Sequence, residues 1–191
     1  MQKGFTIVEI MVMLGIITAI SAMVLVSFTG LHEGAAVNRA ARELALAIRR
    51  AQNMSFAVTR VDTAAGPKIP PAVGVRVDAG SPIYFIFADI AQDNRYSAGV
   101  QNGAVDAKVV NGETTMDRGI TVSSLTAFDS LMQPRGVPAA HIVFLAPEAA
   151  AVLSDAGGVL QGDVLEIELA SASGAARKKV VVRTSGQISI K

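Results

Sequence analysis

The run from Phe5 to Phe28 constrains this chain more than any other feature. Its one charged residue is Glu9, and from Ile10 to Val26 there is none. As a helix, about 24 residues span roughly 36 Å, enough to cross a hydrocarbon core about 30 Å thick. Lys3 stands just before the run, so the positive-inside tendency keeps that end cytoplasmic and sends the rest of the chain across. A cleaved secretory signal shares this pattern, with Ala19 and Ser21 as small residues for a cleavage site, but seldom opens its apolar stretch with a carboxylate. In a plain anchor that carboxylate costs about 2.5–3.5 kcal/mol. A core helix in so small a domain would not be apolar around its whole circumference. Glu9 therefore requires a partner or a function.

Composition narrows the remainder. Lys+Arg number 17 against 16 Asp+Glu, a formal net charge of +1, which argues against a chain built to coat nucleic acid. Only 17% of residues are charged while 51% are apolar, as a membrane segment joined to an ordinary domain requires. With no Cys, disulfide frameworks, thiolate metal sites and Cys nucleophiles are excluded.

The residues Gly4-Phe5-Thr6-Ile7-Val8-Glu9, in the context KGFTIVEIMVMLGIITAIS, closely resemble the N-terminal motif of type IV pilins and type II secretion pseudopilins. The resemblance covers about the first 30 residues. It implies a leader at residues 1–4, cleavage by a prepilin peptidase between Gly4 and Phe5, N-methylation of Phe5, and Glu9 as the charge that guides assembly. The leader is short for the family, and the apolar helix lacks the Pro that kinks many major pilins. The implied partners are other pilin or pseudopilin subunits, the peptidase/methyltransferase, an inner-membrane assembly platform and membrane lipid. Such a chain sits in the cytoplasmic membrane by a single pass with its head exported, then enters a filament. It is a substrate of enzymes rather than an enzyme, with no cofactor and no metal. The physics agrees with the resemblance: an amine freed at Phe5 can neutralise a carboxylate in a medium of low dielectric, best on a neighbouring chain. Gly15, Ala19 and Ala22 recur on one side of the helix, where they either permit close helix approach or are simply tolerated.

Beyond Phe28 the pattern becomes amphipathic without an obvious break. Val37, Ala41, Leu44, Ile48, Ala51 and Val58 keep helical spacing, and Arg39, Arg42, Glu43, Arg49, Arg50, Gln52 and Asn53 take the other faces. The expected organisation is an apolar assembly helix over 5–28, its amphipathic continuation over 29–60, with Gly30 and Gly34 permitting a bend, and a β-rich head over 61–191. The helix is expected to stop around Val58 to Val61, before a breaker-rich loop from Asp62 to Pro71. Period-two runs predict strands at Val73–Val77, Ile83–Phe87, Val105–Val110, Ile120–Leu125, His141–Leu145, Val164–Leu169, Val180–Arg183 and Ile188–Ile190. Asn102-Gly103 and Asn111-Gly112 read as tight turns, and Thr184-Ser185-Gly186 as a hairpin. The fold class is thus α+β: a long N-terminal helix packed on an antiparallel, pilin-like head.

The order of elements also resembles the minor pseudopilins typified by GspH and FimT, whose heads end in a comparable Gly hairpin. Some members of that group bind DNA through basic residues after the Gly. Here Gln187 and Ser189 precede Lys191, and Arg177-Lys178-Lys179 read as solvated residues in a hairpin loop, so the reading goes against nucleic acid. No G-x-S-x-G, P-loop, G-x-G-x-x-G or H-E-x-x-H is present. His32 stands apart from ligand spacing, and His141 opens an apolar strand as a capped or edge residue. Asp155 and Asp163, beside Gly157, Gly158 and Gly162, read as turn chemistry before a calcium loop.

Overall fold

The computed structural model describes residues 4, 6–63, 66–117, 119–148 and 150–191, with 25–31 described by their backbone alone. One helix, α1 (Ile7–Phe56), runs for 50 residues, straight through Gly30 and Gly34. Its second half buries Val37, Ala40, Ala41, Leu44, Ala45, Ile48 and Ala51, the stripe expected from the 3.6-residue period except for Val58, which lies past the helix end and is exposed. Fully burying a Leu or Ile is worth about 1.5–3 kcal/mol, so this stripe anchors the helix to the head. Ser55, beneath it, donates from Oγ to the Phe144 carbonyl at 2.7 Å.

The helix ends in a Schellman arrangement. Val58 N donates to Ser55 O and Thr59 N to Met54 O, both at 3.0 Å. Val58 fills the left-handed position with φ 49°, where glycine is usual. That is a strained choice for a β-branched side chain.

The head is two antiparallel sheets. Its strands are β1 (Val61–Thr63), β2 (Gly66–Lys68), β3 (Ala72–Asp78), β4 (Ile83–Asp89), β5 (Ala107–Thr115), β6 (Ile120–Phe128) and β7 (Pro134–Gly136). They continue with β8 (Ala139–Leu145), β9 (Ala151–Asp155), β10 (Gly158–Val159), β11 (Val164–Ser171), β12 (Arg177–Arg183) and β13 (Ile188–Ile190). The first sheet has the order β10-β9-β8-β3-β4-β5-β1-β2 and the second β13-β12-β11-β6-β7. Side chains from α1 and both sheets form one apolar core, including Val75, Ile142, Phe144, Leu165, Ile167 and Val180.

Every strand expected from the sequence is present, although Val105 and Asp106 precede β5. Several expectations need correction. The stretch from Asp62 to Pro71 is not all loop: β1 and β2 pair as a small hairpin with Val61 opposite Lys68. Asn111-Gly112 does not reverse the chain but lies inside β5, where the pairing with β4 slips between Phe85 and Phe87. Asn111 does take positive φ, 56°, as its turn propensity suggests, yet the result is a bulge. At Gly112 an added Cβ would lie 2.9 Å from Val109 O, so the bulge leaves no room for a side chain. Asn102-Gly103 does form its turn, with φ 47° and 78° and Gln101 bridged to Ala104.

Candidate functional site

The N-terminal end of α1 is built from local rules. Thr6 is the N-cap, extended at φ −80° and ψ 150°, and its Oγ1 accepts from Glu9 N at 3.2 Å. Thr6-Ile7-Val8-Glu9 has the Thr-x-x-Glu spacing of a capping box. That spacing was available in the sequence, and Thr6 is the residue a reading focused on Gly4, Phe5 and Glu9 passes over. Glu9 lies in the first turn, where the helix dipole favours an anion. Gly4 is exposed outside the helix, and a Cβ added there would meet nothing within 4 Å. Nothing in the described fold therefore demands glycine at this position. Phe5 and residues 1–3 lie outside the described residues. From Ile7 to Val24 mean hydropathy is 2.4 and none of the segment is buried against the head. By length and composition this segment can cross a membrane. Within it Thr18 returns its hydroxyl to Leu14 O and Gly15 O, both at 2.9 Å, so its polarity is satisfied inside the helix.

A second polar construction lies on the face of the first sheet turned away from α1. Here the loop 90–106 folds over Phe85, Phe87, Val143 and Ala72, with Tyr96 packed edge-on to both phenylalanines at 4.9 and 5.5 Å. Three carboxylates fasten the loop. Asp106 accepts from Ile90 N, Ala91 N and Ser97 N at 2.8 to 3.0 Å. Asp89 accepts from Asp93 N and Asn94 N, while Asp93 accepts from Ser97 Oγ and pairs with Arg95 at 2.9 Å. Oxygens of Asp89, Asp93 and Asp106 lie within 4.8 Å of one another, the one such grouping among the described residues. Their hydrogen bonds go to the loop itself, which makes the group a clasp. Burial, and then the neighbouring Asp106 charge, push the Asp89 carboxyl up to about 6.

His141 belongs to this clasp, against expectation. It is the third residue of β8, paired between β3 and β9, and only 3% exposed. Its Nδ1 accepts from Tyr96 N at 3.1 Å. Burial holds its imidazole down at about 4, helped by the Arg76 charge, so the ring is neutral and free to accept. An apolar strand opening reads as an edge only if nothing covers it, and here the loop does.

The remaining candidates are spent locally. Asp155 pairs with Arg135 at 3.1 Å and accepts from Gly157 N, whereas Asp163 accepts from Thr184 Oγ1. Each acid is thus engaged by neighbouring segments, Asp155 by β7 and its own turn and Asp163 by the turn that follows β12. His32 is exposed on α1. Arg177-Lys178-Lys179 are not in a hairpin loop but open β12, where Arg177 meets Glu168 at 3.0 Å and Lys179 meets Glu166 at 2.9 Å. The acids that make β11 alternate are the partners, reached diagonally across the ladder, where Glu168 stands opposite Lys179 and Ala170 opposite Arg177. Compared with protein-family models, curated proteins and solved structures, the chain finds no match.

Proposed function

We infer that the chain is a type IV pilin-like subunit, a minor pilin or pseudopilin. It is made as a single-pass precursor of the cytoplasmic membrane, cut after Gly4, methylated at Phe5 and drawn into a filament through α1. The observation that carries this reading is one uninterrupted helix whose first half is bare, apolar and capped beside Glu9, while its second half is head core. A soluble protein has no use for such a bare half, and a simple tether has no use for the acid. In lipid the apolar surface is already out of water, so the gain on assembly comes from helix packing and from pairing of Glu9 with a Phe5 amine on a neighbour. Gly4 supports the reading because no local packing asks for it.

The test is the mature N-terminus. Mass spectrometry should find a methylated Phe5; an intact Met1, or a start near Ala22, would remove the basis of the proposal. Glu9→Ala should leave membrane insertion unchanged and reduce recovery in sheared filaments by about tenfold, the effect of losing one charge pair worth roughly 1.4 kcal/mol in low dielectric. The alternative, DNA capture by the terminal hairpin, draws no support from Arg177 and Lys179, whose charges are answered by Glu168 and Glu166.

A further inference from the structure

Three concavities of the described surface meet at one side chain, Leu46, on the outward face of α1. One of about 410 Å³ lies between the helix and β13, with Arg42 and Arg49 on its helix side and Ile188 and Ile190 opposite. A second, about 270 Å³, separates the helix from the bulged part of β5, and a third, about 510 Å³, continues past the helix end toward Thr59. Ala45 and Ala47 flank Leu46, and their small side chains leave the grooves open while Leu46 stands between them, 64% exposed.

The charges on this face are unanswered. Arg76, Arg95, Arg135 and Arg177 each close on a carboxylate, and Arg39, further back on the helix, reaches Asp117 at 3.1 Å. Arg42, Arg49 and Arg50 make no ion pair among the described residues. Among the described residues, Arg49 and Arg50 hydrogen-bond to the carbonyls of Ile188 and Asn111, each at 3.4 Å. The one acid nearby, Glu43, lines the β5 side, so the groove beside β13 has cations on its rim and an apolar floor. That groove also runs along a strand edge. Lys179 and Lys191 exchange both backbone bonds, and among the described residues β13 pairs with β12 alone. By antiparallel alternation the backbone groups of Ile188 and Ile190 therefore turn away from β12, toward the groove.

We propose that the groove between α1 and β13 is a docking surface for an acidic segment of another protein, lying along the β13 edge with an apolar side chain against Leu46. The charge complement selects carboxylates, which Arg recognises with paired N–H donors. The floor of Leu46, Ala45, Ile188 and Ile190 selects a polypeptide over a nucleic acid, since phosphates need no apolar anchor. This inference is independent of the membrane reading.

The test uses the full-length chain in the cells that make it, with the photoreactive residue benzoylphenylalanine replacing Ser189. After irradiation the cross-linked peptide is identified by mass spectrometry. The expected adduct is a peptide of a different protein, richer in Asp and Glu than in Lys and Arg at the attachment point. Its yield should fall about fivefold or more with Arg42→Glu, with Arg49→Glu, and separately with Leu46→Ser. Lys108→Glu, on a distant strand, should leave the yield unchanged. Arg42 is exposed and makes no described hydrogen bond, so its reversal leaves the fold intact. An adduct with a second copy of this chain, with nucleic acid or with a basic peptide overturns the proposal. So does a yield no higher than that from the probe placed at Lys108.

Discussion

His141 and Asp89 fasten the same loop and titrate against each other, which makes the stability of the head testable by pH. His141 stands at about 4 in the fold against 6.5 for an unperturbed imidazole, a difference worth about 3 kcal/mol. The folded protein refuses the proton that the unfolded chain accepts, so this contribution is present above pH 6.5 and is lost as pH falls toward 4. Asp89 is displaced the other way, from 3.8 to about 6, again worth about 3 kcal/mol. Its contribution is full below pH 3.8 and is lost as pH rises through 6. Across pH 4 to 6 the two terms oppose each other and nearly cancel. Asp89→Asn removes one of them. The variant should lose about 3 kcal/mol between pH 6.5 and 4, where the parent changes by less than about 1. His141→Gln should show the mirror image and gain stability as pH falls. The assay is urea unfolding of the full chain in detergent micelles at half-unit pH steps. Near-ultraviolet circular dichroism is the readout, since the only strong chromophores besides Phe are Tyr84 and Tyr96 and there is no Trp. Each variant also loses a fixed amount from altered hydrogen bonds, so the slope with pH carries the result. Parallel slopes for parent and Asp89→Asn would refute the reasoning.

Other expectations can be measured on the same samples. Leu44→Ala, at a fully buried position where helix and sheets meet, should cost about 2–5 kcal/mol in urea unfolding. Val58→Gly should raise stability by roughly 0.5–1 kcal/mol, because relief of left-handed strain exceeds the added freedom of the unfolded chain. Gly162→Ala should be poorly tolerated, since its Cβ would fall on the Phe128 carbonyl oxygen; a lowered melting temperature is expected and an unchanged one would refute this. Arg177→Ala should cost under about 1 kcal/mol, as an exposed ion pair does.

The sequence made the helix and the main ladders visible because both carry a period. Leu165, Ile167 and Leu169 alternate with Glu166 and Glu168, and β11 buries the first set while the acids take partners from β12. β9 escaped because Ala151-Val152-Leu153-Ser154-Asp155 is buried almost throughout, Ser154 included, and shows no alternation to read. β2 escaped because it is an edge built on Gly66-Pro67, residues that announce a turn and are tolerated in a strand only at such an edge. The helix stops at Phe56, ahead of the expected Val58 to Val61, because its stop is Val58 in a glycine's position, with no glycine to mark it. The clasp was beyond reach. Asp89, Asp93, Asp106 and His141 come from two strands and a loop, and only the folded sheet brings them together.

Because α1 is one continuous helix from Ile7 to Phe56, the bare half and the core half are joined without a break. Tension applied at the membrane end passes along the helix to Leu44 and Ile48, where it acts as shear along a seam shared by two sheets. A truncated, freely soluble version must accordingly be severed ahead of Val37, since every turn trimmed past it takes a piece of the interior away with the tether.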